Sequence, residues 1–135
     1  MDEGRTAVLR MLQDDIAARV LGISLVVVGK GSATLTMTVT ETMVNGHNIA
    51  HGGYLFTLAD TAFAAACNSH GPVTVASGAD VSFITPAHVG DRLTAQADER
   101  IRFGRNGIYD VTVYRNDRPD DVVLEFRGRS RTIGR

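Results

Sequence analysis

The residues best suited to chemistry lie in one stretch, Asn45-Gly46-His47-Asn48-Ile49-Ala50-His51-Gly52-Gly53-Tyr54-Leu55-Phe56-Thr57-Leu58-Ala59-Asp60. Gly52 and Gly53 stand where turn-forming residues give way to an apolar segment. Paired glycines at a helix start leave backbone N–H groups open to a ligand at the positive end of the helix dipole, which suits an oxyanion. An ordinary glycine-containing helix start fits the same two residues. Asp60 has Phe56 and Thr57 one turn before it, Phe63 and Ala64 one turn after it, and no basic residue at helical spacing. An unpaired buried carboxylate is costly, and such groups gather at functional sites. The alternative leaves Asp60 in solvent, or bonded to Thr57 or a distant residue. Asn45 and His51 draw interest from this company, since a single loop Asn usually turns the chain and a single His is usually structural. His47, His70 and His88 fall in expected loops without metal-ligand spacing and read as surface residues.

These residues need a scaffold, and the hydrophobic pattern describes one. Val8, Leu9, Leu12, Ile16 and Val20 recur at helical spacing, giving an amphipathic helix from Arg5 to about Val20, in one piece or two. Ile23 to Val28 and Ala33 to Thr40 read as a strand hairpin about Gly29-Lys30-Gly31-Ser32, the second strand alternating Leu35, Met37 and Val39 with threonines. Glu41 to His51 reads as a loop. Gly52 to Asn68 is a helix apolar nearly all round, with Asp60 its only acidic or basic side chain and with Ala59, Ala62, Ala64, Ala65 and Ala66 allowing close approach of neighbouring backbone. Strands follow at Val73 to Ile84, Arg92 to Phe103, Ile108 to Arg115 and Val122 to Arg131, joined by links too short for parallel crossovers. Such a sheet buries one face by curling around the central helix, an α+β domain.

Composition bounds the function. The chain has 135 residues, 44% of them hydrophobic and 21% charged, which fits one domain over residues 1–135 with a real core. The formal net charge of −1 gives no reason to expect nucleic acid as a partner. The longest apolar run, Val20 to Gly29, is about half a membrane span, and Met1-Asp2-Glu3 is a poor start for a secretory signal, so a cytoplasmic protein with no membrane partner is expected. A single cysteine, Cys67, excludes an intrachain disulfide and a cysteine-built zinc site. Arg100, Arg102, Arg105, Arg115, Arg118, Arg127, Arg129, Arg131 and Arg135 crowd the last third. They form either a basic surface for a phosphate-bearing ligand or a solvated face on exposed strands.

Gly52 and Asp60 are eight residues apart, about 12 Å along one helix, so they cannot both touch one reacting carbonyl. If two subunits related by a two-fold axis lay these helices side by side and antiparallel, Gly52 of one would approach Asp60 of the other, so a dimer is implied if both residues act.

The pattern Asn45, five residues, His51-Gly52-Gly53, six residues, Asp60 resembles the signature of the PaaI-type hotdog thioesterases. The resemblance continues through Thr61 to Ser69, Asp80-Val81-Ser82-Phe83, Thr85-Pro86-Ala87 and Phe126-Arg127-Gly128-Arg129-Ser130. It implies a hotdog fold, an antiparallel sheet wrapped around one long helix, in dimers usually paired into tetramers, and hydrolysis of acyl-CoA thioesters. By position, Asp60 would be general base or nucleophile, the Gly52 amide would polarise the carbonyl, and Asn45 would orient water or substrate with His51 beside it. Gly53 and Phe83 would contact substrate, and Arg105 in its turn could meet the CoA phosphates. Ser77 or Ala76 falls where some relatives place a hydroxyl. The branch suggests aromatic acyl groups such as phenylacetyl or its ring-hydroxylated forms, with Phe56, Phe63 and Phe83 as pocket walls, although core packing explains each phenylalanine equally well. Carboxylate-assisted thioester hydrolysis needs no metal or cofactor. A hotdog enoyl-CoA hydratase and a non-catalytic acyl-CoA binding module are the alternatives.

Overall fold

The computed structural model describes residues 2–134. Helix α1 (Glu3–Gln13) starts at Asp2, whose carboxylate accepts from the Gly4 and Arg5 amides, and ends at Asp14. Asp15 then caps α2 (Ile16–Val20) by accepting from the Ala18 amide, so the Asp14-Asp15 pair breaks the expected amphipathic helix into two. Strands β1 (Ser24–Gly29) and β2 (Ser32–Thr38) form the hairpin. The segment read as a loop contains a short 3-10 turn at Glu41–Met43. Helix α3 (Gly52–Asn68) is followed by β3 (Thr74–Phe83), β4 (Arg92–Phe103), β5 (Asn106–Arg115) and β6 (Val122–Thr132). Strand β5 starts two residues before the expected Ile108, because Asn106 and Gly107 already pair with Phe103 and Arg102.

The six strands form one antiparallel sheet in the order β1-β2-β4-β5-β6-β3. Register shifts in four of its five pairings tighten the sheet's twist, so that it curls over α3. The helix presses Leu55, Leu58, Ala59, Ala62, Phe63 and Ala66 into the core against Leu35, Leu93, Val111, Val113, Leu124 and Phe126. Gly128 in β6 admits the Phe63 ring, because a Cβ there would lie 2.7 Å from its Cε1 atom. Phe63 also meets Phe126 and Tyr109, each at 5.6 Å between ring centroids, and is thereby a core residue rather than a pocket wall.

Two edges remain. β1 closes one side and β3 the other, and β3 carries Val75 at 42% exposure with Phe83 beyond it at 55%. An unpaired edge with apolar side chains invites a further strand. No helix among the described residues is long and apolar enough to cross a membrane.

Candidate active site

The 45–51 loop is fixed by its own backbone. Asn45 donates its amide to the Ile49 carbonyl at 2.8 Å and accepts the Asn48 amide at 3.0 Å, and Asn48 takes a left-handed conformation (φ 61°) that Asn tolerates. The Asn45 side-chain Oδ1 accepts from the His47 amide at 2.8 Å, which commits the oxygen to the loop and leaves the amide NH2 for other partners. His51 donates its amide to Met43 and Ala50 donates to Ala87, both at 2.7 Å, so the helix entry is pinned between the 3-10 turn and the β3–β4 connection.

Helix α3 opens without a side-chain cap, since the His51 imidazole makes no capping bond. The first amide tied back is that of Tyr54, to the His51 carbonyl at 3.0 Å. The N–H groups of Gly52 and Gly53 are therefore unspent, as a helix start requires of an anion site. The two glycines differ in their surroundings. A Cβ on Gly52 would press on the Phe83 ring at 3.0 Å, whereas one on Gly53 would meet nothing within 4 Å. A side chain at Gly52 would thus press on the Phe83 ring and shift it, while Gly53 opens toward free space.

Asn45, Gly52 and Phe83 come together, with Ile49, Leu55 and Pro86, around a groove of about 410 Å³. His51 and Gly53 face a different groove of about 550 Å³, between α2 and α3, whose wall includes Tyr54 and Thr57. Sequence reasoning missed that second groove, because nothing in the spacing of Ala17, Val20 and Leu21 says which part of α3 they cover.

Asp60 borders neither groove. It stands on the stripe Gly53, Thr57, Asp60, Ala64 that the core leaves uncovered, and it is half-buried. The Thr57 hydroxyl donates to the Gly53 carbonyl at 2.9 Å, so it does not satisfy Asp60. No ion pair is formed by Asp60 among the described residues. Burial first, and then the charge of Asp15 at the α2 cap, push its carboxyl above the ordinary aspartate value. Asp15 is a neighbour the sequence did not announce.

The arginines of the last third are mostly spoken for. Arg100 and Arg127 pair with Asp110, Arg129 with Asp80, and Arg115 with Asp91 and Asp121. Arg105 lies at the other end of α3 and donates to the carbonyls of Thr132 and Gly134 at 3.0 and 3.1 Å. Ser77 is the extra residue where the β3 register shifts, and its hydroxyl donates to the Arg129 carbonyl at 3.2 Å.

The reading of His70 as a surface residue is corrected. Its Nε2 lies 2.7 Å from Glu99 and its side chain is only 16% exposed. The Arg102 guanidinium, which can only donate, stands 3.3 Å from Nδ1 on the other side of the ring. Among the described residues, no group of three or more His, Cys, Asp or Glu could hold a metal ion.

This fold and sequence have relatives. The family model described as the thioesterase superfamily matches residues 47–121. The acyl-coenzyme A thioesterase PaaI of Escherichia coli (strain K12) is 47% identical over 92% of this chain and 87% of that protein. The solved structure of the E. coli PaaI protein from the phenylacetic acid degradation operon superposes with a TM-score of 0.92 at 42% identity, covering 98% of this chain and 94% of that one. A mutant of the phenylacetic acid degradation protein PaaI from Thermus thermophilus gives a TM-score of 0.82 at 31% identity, covering 88% of this chain and 100% of that one. With its antiparallel sheet curled over α3 and the Asn45-to-Asp60 pattern at the amino end of that helix, the chain belongs to the thioesterase superfamily, in its PaaI-type hotdog branch.

Proposed function

We propose that this chain, as one cytoplasmic domain, hydrolyses acyl-CoA thioesters of aromatic acids such as phenylacetyl-CoA and its ring-hydroxylated forms, releasing the acid and CoA. It does so as a two-fold dimer, two of which pair. The observation that carries the reading is the separation on α3 of uncapped Gly52 and Gly53 amides from an unpaired Asp60 two turns further on. Two antiparallel copies of α3 place these complementary halves together and make two equivalent sites. Pairing of the β3 edges about the same axis would continue the antiparallel sheet and cover Val75 and Phe83.

In the reaction, the thioester oxygen accepts from the Gly52 amide, with Asn45 and His51 orienting water and substrate. The partner's carboxylate, equivalent to Asp60, takes a proton from the water whose oxygen attacks the carbonyl carbon. The tetrahedral oxyanion, held at the helix start, collapses and breaks the C–S bond, and the proton passes to the departing thiolate. The carboxylate must be ionised to begin. Gly53 and Phe83 border the substrate. Arg105 reaches CoA phosphate only through guanidinium hydrogens not used on the Thr132 and Gly134 carbonyls.

The test is thiol release from phenylacetyl-CoA, hydroxyphenylacetyl-CoA and a fatty acyl-CoA. Release from the aromatic esters supports the reading. Hydrolysis of the fatty ester alone would replace the substrate class, and release from none would refute the activity.

A further inference from the structure

The amino end of α3 separates two grooves, and a thioester held on the Gly52 and Gly53 amides has one substituent to place in each. The 410 Å³ groove runs beneath Phe83. The 550 Å³ groove is lined on the α2 side by Ala17, Val20 and Leu21 and on the α3 side by Tyr54 and Thr57. Val20 is left 78% exposed, an apolar residue standing uncovered in this structure. We propose that the α2–α3 groove is the acyl subsite, that Ala17 sets how large an acyl group enters it, and that the Tyr54 phenol hydrogen-bonds a ring hydroxyl. The inference rests on the thioesterase reading above.

Three observations carry it. First, Gly52 lines one groove and its neighbour Gly53 lines the other, so the unspent amides of the helix start stand between the two. Second, the chemistry of the two halves of the substrate differs. The pantetheine arm carries two amides, which need hydrogen-bond partners wherever they leave water, whereas the ring and methylene of an arylacetyl arm need none and gain apolar contact on burial. The Phe83 groove suits pantetheine better because the Asn45 side chain there offers an uncommitted NH2 group. Third, size permits it: a cavity of about 150 Å³ takes benzene, and the α2–α3 groove at about 550 Å³ takes a substituted ring with its linker.

Tyr54 supplies the polar selection. The other phenol on α3's surroundings, Tyr109, donates to Glu99 at 2.8 Å, whereas the Tyr54 hydroxyl bonds to no other described residue. A phenol across the groove from Ala17, Val20 and Leu21 favours a ligand that brings a matching hydroxyl.

The experiment compares kcat/KM for hydroxyphenylacetyl-CoA, phenylacetyl-CoA and acetyl-CoA in the wild type, Ala17→Trp and Tyr54→Phe, with oligomeric state followed by size-exclusion chromatography. Ala17 is exposed, so a larger side chain there meets solvent and groove rather than core. Ala17→Trp should lower the phenylacetyl-to-acetyl ratio at least tenfold, the scale on which a pocket resolves small steric differences. Tyr54→Phe should lower the hydroxyphenylacetyl-to-phenylacetyl ratio about threefold to tenfold, the worth of one neutral hydrogen bond. Unchanged ratios in an intact oligomer overturn the acyl subsite. Parallel loss of all three activities as Ala17→Trp dissociates overturns it too, and assigns the groove to subunit contact. A wild type inactive on every ester defeats the thioesterase reading itself, before any variant is compared.

Discussion

Asp60→Asn should nearly abolish turnover while leaving the folded protein at least as stable as the wild type, and this opposition of signs is the sharpest consequence of the structure. The carboxylate lies on the stripe of α3 that the core leaves free, with no cation paired to it among the described residues and with Asp15 adding repulsion. Replacing it by an isosteric amide removes a desolvated charge and disturbs no ion pair. General-base catalysis contributes about 10²–10⁴ in rate, so the variant should lose about 2.7–5.5 kcal/mol of transition-state stabilisation. The pH dependence follows from the raised carboxyl. The folded state holds its proton more tightly than the unfolded chain does, so ionisation costs stability as pH rises from the unfolded pKa through the folded one. The stability advantage of Asp60→Asn is then greatest at neutral pH and fades as pH falls into the carboxylate range. The wild-type kcat/KM should rise with pH through a pKa above the ordinary aspartate value. The assay is thiol release across pH beside thermal unfolding of both proteins. Activity within about threefold of wild type, well short of the loss expected when a general base is removed, would refute the reasoning and make Asp60 a structural residue. So would a loss of activity matched by a fall in melting temperature.

Other consequences concern the scaffold. A Cβ on Gly4 would lie 1.6 Å from the Ser69 carbonyl oxygen, so Gly4→Ala should push α1 off the end of α3 and cost about 1–3 kcal/mol or more, read in urea unfolding. Burial pushes the Glu99 carboxyl up, but hydrogen bonds from His70 and Tyr109 outweigh it and hold the group below its usual value. That stability is present above the unfolded glutamate pKa and is lost as pH falls through the folded one; Glu99→Gln should cost about 1.5–3 kcal/mol at neutral pH, and an unchanged urea midpoint would contradict the network. Burial raises the Cys67 thiol to about 12, so alkylation at mildly alkaline pH, followed by mass spectrometry, should label it only after unfolding.

The local pattern revealed what one element decides by itself. Helix α3 was legible from its unbroken apolar character and its glycine start, and β2 from the alternation of Leu35, Met37 and Val39 with threonine. The candidate groove was legible in part, because Asn45 and Gly52 belong to one loop-and-helix unit. What escaped depends on distant register. His70 is tied to Glu99 across 29 residues, and Arg127 is held by Asp110 because the β5–β6 pairing sets them opposite one another. The position of α2 against Tyr54 and Thr57, and of Asp15 toward Asp60, follows from how α1 and α2 pack on α3, which no periodicity within them encodes.

The division of labour along α3 admits a test that separates a shared site from a site within one chain. In the proposed dimer each site takes Asn45 and Gly52 from one subunit and the carboxylate of Asp60 from the other. A dimer of Asp60→Asn chains and a dimer of Asn45→Ala chains each lack a working site. In a hybrid of the two, one site combines the intact loop of the first chain with the intact carboxylate of the second, while the other site carries both defects. Equal mixing after reversible dissociation gives hybrids in about half of the dimers, each with one competent site of two, and so restores about a quarter of wild-type activity by two-fold symmetry. Mixing without exchange restores none, which controls for additive residual activity. If a single chain folded Asp60 back onto its own helix start, hybrids would recover nothing; the rise of α3 opposes that, since eight residues of helix span about 12 Å.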